Sequence, residues 1–474
     1  AEGNYLRNPA AGDINIINPI NELDHNTNQR QSLVATGSFF GQIDFGNIFS
    51  PLKGLRYKMQ FGPEYRHYRL GIANAAEGIN GDGNNAVTYS PDRTMAWTLD
   101  NLVFYDRDFG TDHKLGLTFL QSASAYNYES ATMRATDVYS ARELWYNISS
   151  GGFTGSYGTG LREYQLESYL ARLNYIYKDK YILTAFTRWD GSSVLAPGYQ
   201  WDSFPSVSLA WRIDKENFMQ NASFVNALKL RAGMGVVGNQ GIGPYASKGG
   251  LTQIFYNWSG TSSVPGYVAS DPSAANPQKM ANPQLGWERT TQFNVGLDYG
   301  FFNNRINGAV DVYSTKTDDL LMSMLIPSIL GYNATNANIG KTKGWGIDLQ
   351  LNTVNIQKQD FQWSTSLTWS KDKGEIVELA NGNLQDVGNR WFVGSELAVA
   401  YDLVYDGIWK TSEEAEAATF GRKPGQIRVK DLSGPDGVPD GIIDRNHDQQ
   451  IIGSYRPKWS GGISNTFNYK NFEL

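Results

Sequence analysis

One acidic segment near the end of the sequence contains most of the residues that could bind a metal ion or take part in a reaction. The segment DLSGPDGVPDGIIDRNHD (431–448) contains five aspartates, Asp431, Asp436, Asp440, Asp444 and Asp448. Calcium takes six to eight oxygen ligands, and an EF-hand loop supplies them at alternate positions around a glycine at position 6. Counted from Asp436, aspartates occupy positions 1, 5 and 9, and Gly441 occupies position 6. This spacing indicates a calcium ion as a candidate ligand.

Two positions of the calcium-loop pattern are filled by residues that do not fit it. Val438 stands at position 3 and His447 at position 12, where an EF-hand loop has an oxygen ligand and a bidentate glutamate. Two interpretations therefore stay open. In the first, Asp436, Asp440 and Asp444 bind calcium. In the second, the segment is a solvated loop whose aspartates accept hydrogen bonds from nearby backbone N–H groups.

The rest of the sequence gives no support for an enzyme. The four histidines, His25, His67, His113 and His447, are widely separated, and the absence of cysteine excludes thiolate metal sites. The segment WDGSSVL (189–195) lacks the G-x-S-x-G pattern of a serine hydrolase, and GIGPYASKGG (241–250) lacks the Lys-Ser/Thr pair of a phosphate-binding loop. We therefore expect no catalytic residues and no required cofactor, and substrate-binding residues are not assigned.

Strands are the predicted secondary structure of this chain, because apolar and polar residues alternate throughout the sequence. In LRYKMQFGPEYRHY (55–68), Leu55, Tyr57, Met59 and Phe61 share one face and Arg56, Lys58 and Gln60 share the other. The same period predicts thirteen strands, with a fourteenth beginning at Phe472. They cover 32–45, 55–68, 94–105, 114–128, 162–177, 181–190, 204–213, 228–237, 288–301, 305–314, 344–354, 361–370 and 458–469.

Short and long connections alternate between these strands. Short links at 178–180, 302–304 and 355–360 are interleaved with long segments at 70–93, 129–161, 191–203, 238–287, 315–343 and 371–457. Outer-membrane barrels have short periplasmic turns and long extracellular loops. The sequence therefore predicts an all-β, antiparallel transmembrane β-barrel with about 13–14 strands present here. A set of long hairpins in a soluble sheet is the alternative.

Composition agrees with a membrane barrel and excludes other classes. The 474 residues carry a net charge of −6, which argues against a nucleic-acid partner, and 13% of them are aromatic. No run approaches the length of apolar residues that a transmembrane helix needs. We expect the apolar face of the strands to contact outer-membrane lipid. At the bilayer interface, Trp97, Trp211, Trp363 and Tyr313 are predicted as aromatic anchors.

Several ordered segments resemble the SusC/RagA family of TonB-dependent outer-membrane transporters. The resemblance is clear from about residue 160 to the end. It is carried by KYILTAFTRWDGSSVL (180–195), FPSVSLAWRI (204–213), LKLRAGMGVVGNQGIGPY (228–245), NPQLGWERTTQFNVGLDYGFFNNRINGAVDVYSTKTDDLL (282–321), NIGKTKGWGIDLQL (338–351) and DGIIDRNHDQQIIGSYRPKWSGGISNTFNYKNFEL (440–474).

This resemblance implies a fold, a function and partners. It implies a 22-stranded barrel with an N-terminal plug in the outer membrane of a Gram-negative bacterium. It also implies TonB-energised import of oligosaccharides or peptides, with a SusD-like surface lipoprotein and the TonB–ExbB–ExbD system as partners. We expect residues 1–474 to be part of the barrel domain, with long extracellular loops and with the plug and TonB box outside this sequence. A passive outer-membrane porin, or a surface glycan-binding barrel without TonB coupling, is the alternative.

Overall fold

One antiparallel sheet contains most of the strands of this chain. The computed structural model describes residues 18–81, 83–152, 157–258, 262–268 and 279–474. The order of hydrogen-bonded strands follows the sequence as β1-β3-β4-β5-β6-β7-β8-β9-β13-β14-β17-β18-β25-β26, and β2 also pairs with β3. Because almost every strand pairs with the next long strand in the sequence, the sheet is a succession of hairpins.

The bounds of the strands and helices are as follows. The strands are β1 Asn26–Thr36, β2 Phe39–Asp44, β3 Leu55–Asn74, β4 Ala86–Phe109, β5 His113–Thr136, β6 Tyr157–Tyr177, β7 Tyr181–Ser192, β8 Trp201–Arg212, β9 Val225–Asn239, β10 Thr252–Trp258, β11 Ser262–Val268, β12 Lys279–Met280, β13 Glu288–Phe301, β14 Ile306–Asp318, β15 Leu321–Leu325, β16 Ala334–Asn338, β17 Lys341–Gln357, β18 Phe361–Glu378, β19 Gln385–Asp386, β20 Trp391–Phe392, β21 Val399–Leu403, β22 Tyr405–Ile408, β23 Ile427–Val429, β24 Gln449–Ser454, β25 Ser460–Tyr469 and β26 Phe472–Glu473. The α-helices are α1 Pro19–His25 and α2 Glu414–Thr419, and 3₁₀ turns cover Phe45–Asn47, Ser50–Leu52, Ala141–Ser150, Ile213–Lys215, Asn217–Met219, Ser328–Leu330, Ala380–Gly382 and Thr411–Glu413.

All thirteen predicted strands are present, and a further strand begins at Phe472 as predicted. The first predicted strand, 32–45, is interrupted. It forms β1 and β2, which pair with successive parts of β3 and leave Gly37 and Ser38 between them. The interruption lies opposite Pro63, which has no backbone N–H to donate to the ladder. Its carbonyl still accepts a hydrogen bond from the Gly37 N–H at 3.0 Å.

Several strands are longer than the alternation predicts. Strands β3, β4, β5 and β6 have 20, 24, 24 and 21 residues, whereas about 9 to 11 residues cross a membrane. The predicted loop 70–93 is therefore reduced to 75–85. The connections 75–85 and 193–200 are no longer than the turn 213–224 at the opposite end. Loop length distinguishes the two ends mainly through 137–156, 240–287, 319–340 and 379–459.

The two faces of the sheet differ sharply in chemistry, as two neighbouring rows of registered residues show. Row one joins β5, β6, β7, β8, β9, β13, β14 and β17 through Leu115, Tyr175, Leu183, Leu209, Ala232, Val295, Val312 and Ile347. Row two, one residue along each strand, joins Gly116, Asn174, Thr184, Ser208, Gly233, Asn294, Tyr313 and Gly346. Because successive side chains of a strand point to opposite faces, one face is apolar and the other polar.

The rows also show how far neighbouring strands are staggered. Leu115 lies two residues after the start of β5 at His113. The same row reaches Lys371, the partner of Ile347, ten residues after the start of β18 at Phe361. A progressive stagger of this kind is the shear that a tilted-strand barrel requires. Within the part of the chain that the structure describes, no helix has both the length and the apolar character needed to cross a membrane.

Candidate functional site

A network of charged side chains lies on the polar face, where β9, β13 and β14 are adjacent. The Arg231 guanidinium donates from Nε to Asp298 Oδ2 at 3.0 Å and from Nη2 to Asp298 Oδ1 at 2.8 Å. Its Nη2 also donates to Asp311 Oδ2 at 3.1 Å. Lys229 Nζ is 2.9 Å from Asp298 Oδ2, and the Asn294 amide donates to Asp311 Oδ1 at 3.3 Å. One arginine therefore joins two carboxylates that belong to different strands.

Gly296 leaves the space in which this network forms. It is the residue of β13 that pairs with both Arg231 and Asp311. A Cβ at this position would lie 2.7 Å from Arg231 Cζ and would also overlap the Asp311 carboxylate. The two ionised side chains close over the glycine backbone, so any side chain here would separate them.

A small apolar cluster above the polar face joins the connection 193–200 to the end of the long connection 240–287. Val194, Leu195, Phe204 and Trp287 are all buried and in contact. The rings of Phe204 and Trp287 meet edge to face with their centroids 5.3 Å apart. Two hydrogen bonds join the connection 193–200 to the residues before β13. Trp287 Nε1 donates to the Gln200 carbonyl at 2.8 Å, and the Ala196 N–H donates to the Leu285 carbonyl at 2.9 Å.

The acidic segment 431–448 is organised around one buried carboxylate. Asp448 is fully buried. Its Oδ1 accepts from the Leu432 and Ser433 N–H groups at 2.7 and 3.2 Å, and its Oδ2 accepts from the Asp444 N–H at 2.8 Å. Burial opposes ionisation of Asp448, but these backbone donors outweigh it and hold its pKa below the usual value. Asp448 therefore ties both ends of the segment together.

The three predicted calcium ligands differ in their surroundings. Asp444 accepts from the Asn446 N–H at 2.6 Å and lies 2.9 Å from His447 Nδ1, which lowers the pKa of Asp444 and raises that of His447. Asp440 Oδ1 accepts from the Ile442 N–H at 2.9 Å, and Asp436 is exposed. Among the described residues, no three His, Asp or Glu side chains are grouped so that they could hold a metal ion. Calcium binding by Asp436, Asp440 and Asp444 stays a prediction.

The calcium prediction is tested by proteolysis with and without a chelator. If an ion is bound, chelation should raise the cleavage rate within 431–448, because uncompensated carboxylates repel one another. Half-maximal protection is expected near ~10⁻³ M calcium, the range of weak extracellular sites. Asp440→Asn should abolish the protection, and Asp360→Asn, in the short turn 358–360, should not. Identical cleavage rates with and without chelator would leave the second interpretation, a solvated loop.

Comparison with known proteins identifies the family. A family model described as TonB dependent receptor-like, beta-barrel, matches residues 2–471. The chain belongs to this family. It is 32% identical over 96% of its length to TonB-dependent receptor P26 of Formosa agariphila. It is also 29% identical over 81% of its length to TonB-dependent receptor SusC of Bacteroides thetaiotaomicron. The predicted antiparallel barrel fold and the resemblance to SusC/RagA are confirmed.

A solved structure gives the same fold. The chain matches the structure of the RagAB peptide transporter with a TM-score of 0.80, at 23% identity, over 96% of this chain and 48% of that one. The alignments with receptor P26 and SusC cover 46% and 36% of those proteins. The chain thus spans about half the length, or less, of the relatives it matches.

The aromatic residues of this TonB-dependent receptor-like barrel only partly follow the predicted anchor pattern. Trp211 lies at the end of β8 and donates to Glu216 in the adjacent turn at 3.0 Å. Tyr313, by contrast, belongs to row two on the polar face, and its ring lies over Gly346. It does not face the apolar side, because the alternation along β14 places Val312 there and Tyr313 on the polar face, where Gly346 leaves room for its ring. For Trp97, Trp211 and Trp363 the anchor role stays a prediction.

Proposed function

We propose that this chain is the barrel portion of an active importer in the outer membrane of a Gram-negative bacterium, energised through TonB–ExbB–ExbD. One observation carries the proposal. A sheet with one apolar and one polar face has mostly tight turns at one end and its longest connections at the other, in a chain that the receptor barrel family matches almost throughout. The apolar face contacts lipid, and the polar face lines the path of the substrate.

We further propose oligosaccharides or peptides as the substrate class and a SusD-like lipoprotein as the surface partner. The connections 240–287 and 379–459 are much longer than joining the strands of a barrel requires. Long loops that carry folded structure of their own are usually functional. The connection 379–459 has its own strand pairs, β21 with β24 and β22 with β23. The similarity to SusC and to the RagAB peptide transporter supports this assignment.

The proposed orientation of the sheet in the outer membrane is tested by surface labelling. Ser412 lies in the connection 379–459, and Asp179 lies in the turn between β6 and β7. The chain contributes no cysteine of its own. We expect Ser412→Cys to react with a membrane-impermeant maleimide on intact cells, and Asp179→Cys to react only after the outer membrane is permeabilised. Labelling of position 179 on intact cells would contradict the proposed orientation and indicate the opposite one.

Energised import is tested by uptake in matched strains. Cells that produce the intact protein should take up a labelled oligosaccharide or peptide when TonB is present and lose this uptake when TonB is deleted. Diffusion through a passive barrel requires no such coupling. Equal uptake in both strains would favour the alternative, a passive porin or a surface glycan-binding barrel.

A further inference from the structure

A groove with a volume of about 720 Å³ lies on the apolar face of the sheet, next to the tight turns. Binding sites for small molecules usually have volumes of about 300–1,000 Å³. Its floor is formed by aliphatic side chains, including Leu183, Leu209 and Leu230, on β7, β8 and β9. These strands lie in the interior of the sheet, with paired neighbours on both sides, so the groove is not a product of an unpaired edge.

The rim of the groove is aromatic and held in place by one carboxylate. Tyr177, Tyr181 and Trp211 line the end nearest the turns. Glu216 accepts hydrogen bonds from Tyr181 Oη at 2.7 Å, from Trp211 Nε1 at 3.0 Å and from Lys180 Nζ at 2.9 Å. The Lys180, Tyr181 and Trp211 donors lower the pKa of Glu216 to about 2, so the carboxylate stays ionised. Tyrosine and tryptophan collect where acyl chains meet headgroups, and the rim marks that level.

One lysine at the rim is available to bind an anion. Lys178 Nζ lies 5.2 Å from the centroid of the Tyr177 ring, its side chain is 47% exposed, and its Asp112 partner is 3.8 Å away. The neighbouring lysines are more tightly engaged, since Lys114 lies 2.7 Å from Asp179 and Lys180 lies 2.9 Å from Glu216. An ammonium group has three donors, so Lys178, whose partners are Tyr177 and a distant carboxylate, keeps a donor for a phosphate oxygen.

We propose that this groove binds a single glycerophospholipid, with an acyl chain along Leu183, Leu209 and Leu230 and the phosphodiester at Lys178. The apolar floor, the aromatic rim and the exposed cation follow one another in the order in which chain, interface and headgroup occur in a lipid. The inference rests on the proposed function, because it requires the tight turns to lie at the periplasmic surface of the outer membrane, where glycerophospholipids form the leaflet.

The test measures the phospholipid that stays with the intact protein after detergent extraction and purification, by native mass spectrometry and by lipid phosphate per protein. Leu209→Trp fills the groove and Lys178→Glu reverses the charge at its rim. Each should lower the phospholipid retained per protein by about tenfold, as expected for a roughly tenfold weaker site. Val312→Trp, on the same apolar face of β14, and Lys358→Glu, in another short turn, are the matched controls and should retain the wild-type amount.

The outcomes separate this inference from the proposed function. Equal retention in all five proteins, or equal loss in the groove variants and the controls, would overturn the lipid site, whatever the uptake experiment shows. Selective loss in the two groove variants supports it even if uptake proves independent of TonB. The heat-dependent shift in electrophoretic mobility of a barrel shows whether each variant is folded, so a loss of lipid through misfolding is recognised. If Lys178→Glu misfolds, Lys178→Gln is measured in its place.

Discussion

Replacing Arg231 with alanine should lower the free energy of unfolding by about 2–3 kcal/mol, somewhat less than the 3–5 kcal/mol for removing one partner of a fully buried pair. The side chains of Arg231, Asp298 and Asp311 are 31%, 32% and 25% exposed, so solvent screens part of the interaction. The loss leaves the Asp298 and Asp311 carboxylates on neighbouring strands without the cation between them, and Lys229 and Asn294 remain as their described partners. Denaturant unfolding of the detergent-solubilised protein, followed by tryptophan fluorescence, measures the change.

Two further variants show whether the network acts as a unit. Arg93→Ala removes a comparable contact of 2.8 Å with Glu129, but those side chains are 45% and 50% exposed. It should therefore cost at most about 1 kcal/mol. Asp311→Asn, added to the Arg231→Ala variant, should restore part of the lost free energy of unfolding, because it removes one of the two repelling charges. Equal losses for Arg231→Ala and Arg93→Ala would show that Arg231 makes no more than a surface ion pair.

The strands could be predicted from the sequence because the alternation that gives a strand its two faces is visible within each segment alone. In row one, each strand from β5 to β17 contributes an apolar residue and its neighbour in row two is polar or small, so each of these segments carries the period of two by itself. The ends of the strands were not predictable in this way. Where β3 to β6 extend beyond the predicted segments, the alternation ends before the hydrogen bonds do. Ala73, Val87 and Ala135 of these extensions instead pack in a separate buried cluster with Val138.

The contacts of the site could not be predicted because they depend on register. Asp298 lies 67 residues after Arg231 in the sequence, and Asp311 lies 80 residues after it. They meet only when β9 and β14 both pair with β13, and nothing near any of them in the sequence identifies its partners. Asp448 is a different case. The sequence placed it in an acidic cluster, but its burial and its three backbone donors appear only once the segment 431–448 is folded.

Replacing Trp287 with alanine should release the connections above the polar face while leaving the sheet folded. Trp287 is 8% exposed and packs in the cluster with Val194, Leu195 and Phe204. Truncation of a buried tryptophan costs about 3–5 kcal/mol, and here it also removes the hydrogen bond to the Gln200 carbonyl. Because Trp287 precedes β13 and no strand ladder includes it, the loss should fall on residues 193–200 and 279–287.

Three measurements follow the effect of Trp287→Ala. Limited proteolysis should cleave within 193–200 and 279–287 at least about tenfold faster, since each 1.4 kcal/mol of lost local stability raises the open population tenfold. The heat-dependent mobility shift of the barrel should be unchanged. Co-purification of the proposed SusD-like lipoprotein should fall, because a partner that binds ordered loops must then supply the free energy to order them.

The controls decide whether the effect comes from the cluster or from the loss of any tryptophan. Trp189 is 44% exposed and outside the cluster, so Trp189→Ala should leave proteolysis of both connections unchanged. Trp287→Phe keeps an aromatic ring against Phe204 but removes the Nε1 donor, and it should give an intermediate cleavage rate. If Trp287→Ala and Trp189→Ala are cleaved alike, the cluster does not order the connections. If cleavage rises but the lipoprotein still co-purifies fully, the partner binds elsewhere, and the folded connection 379–459 becomes the next surface to change.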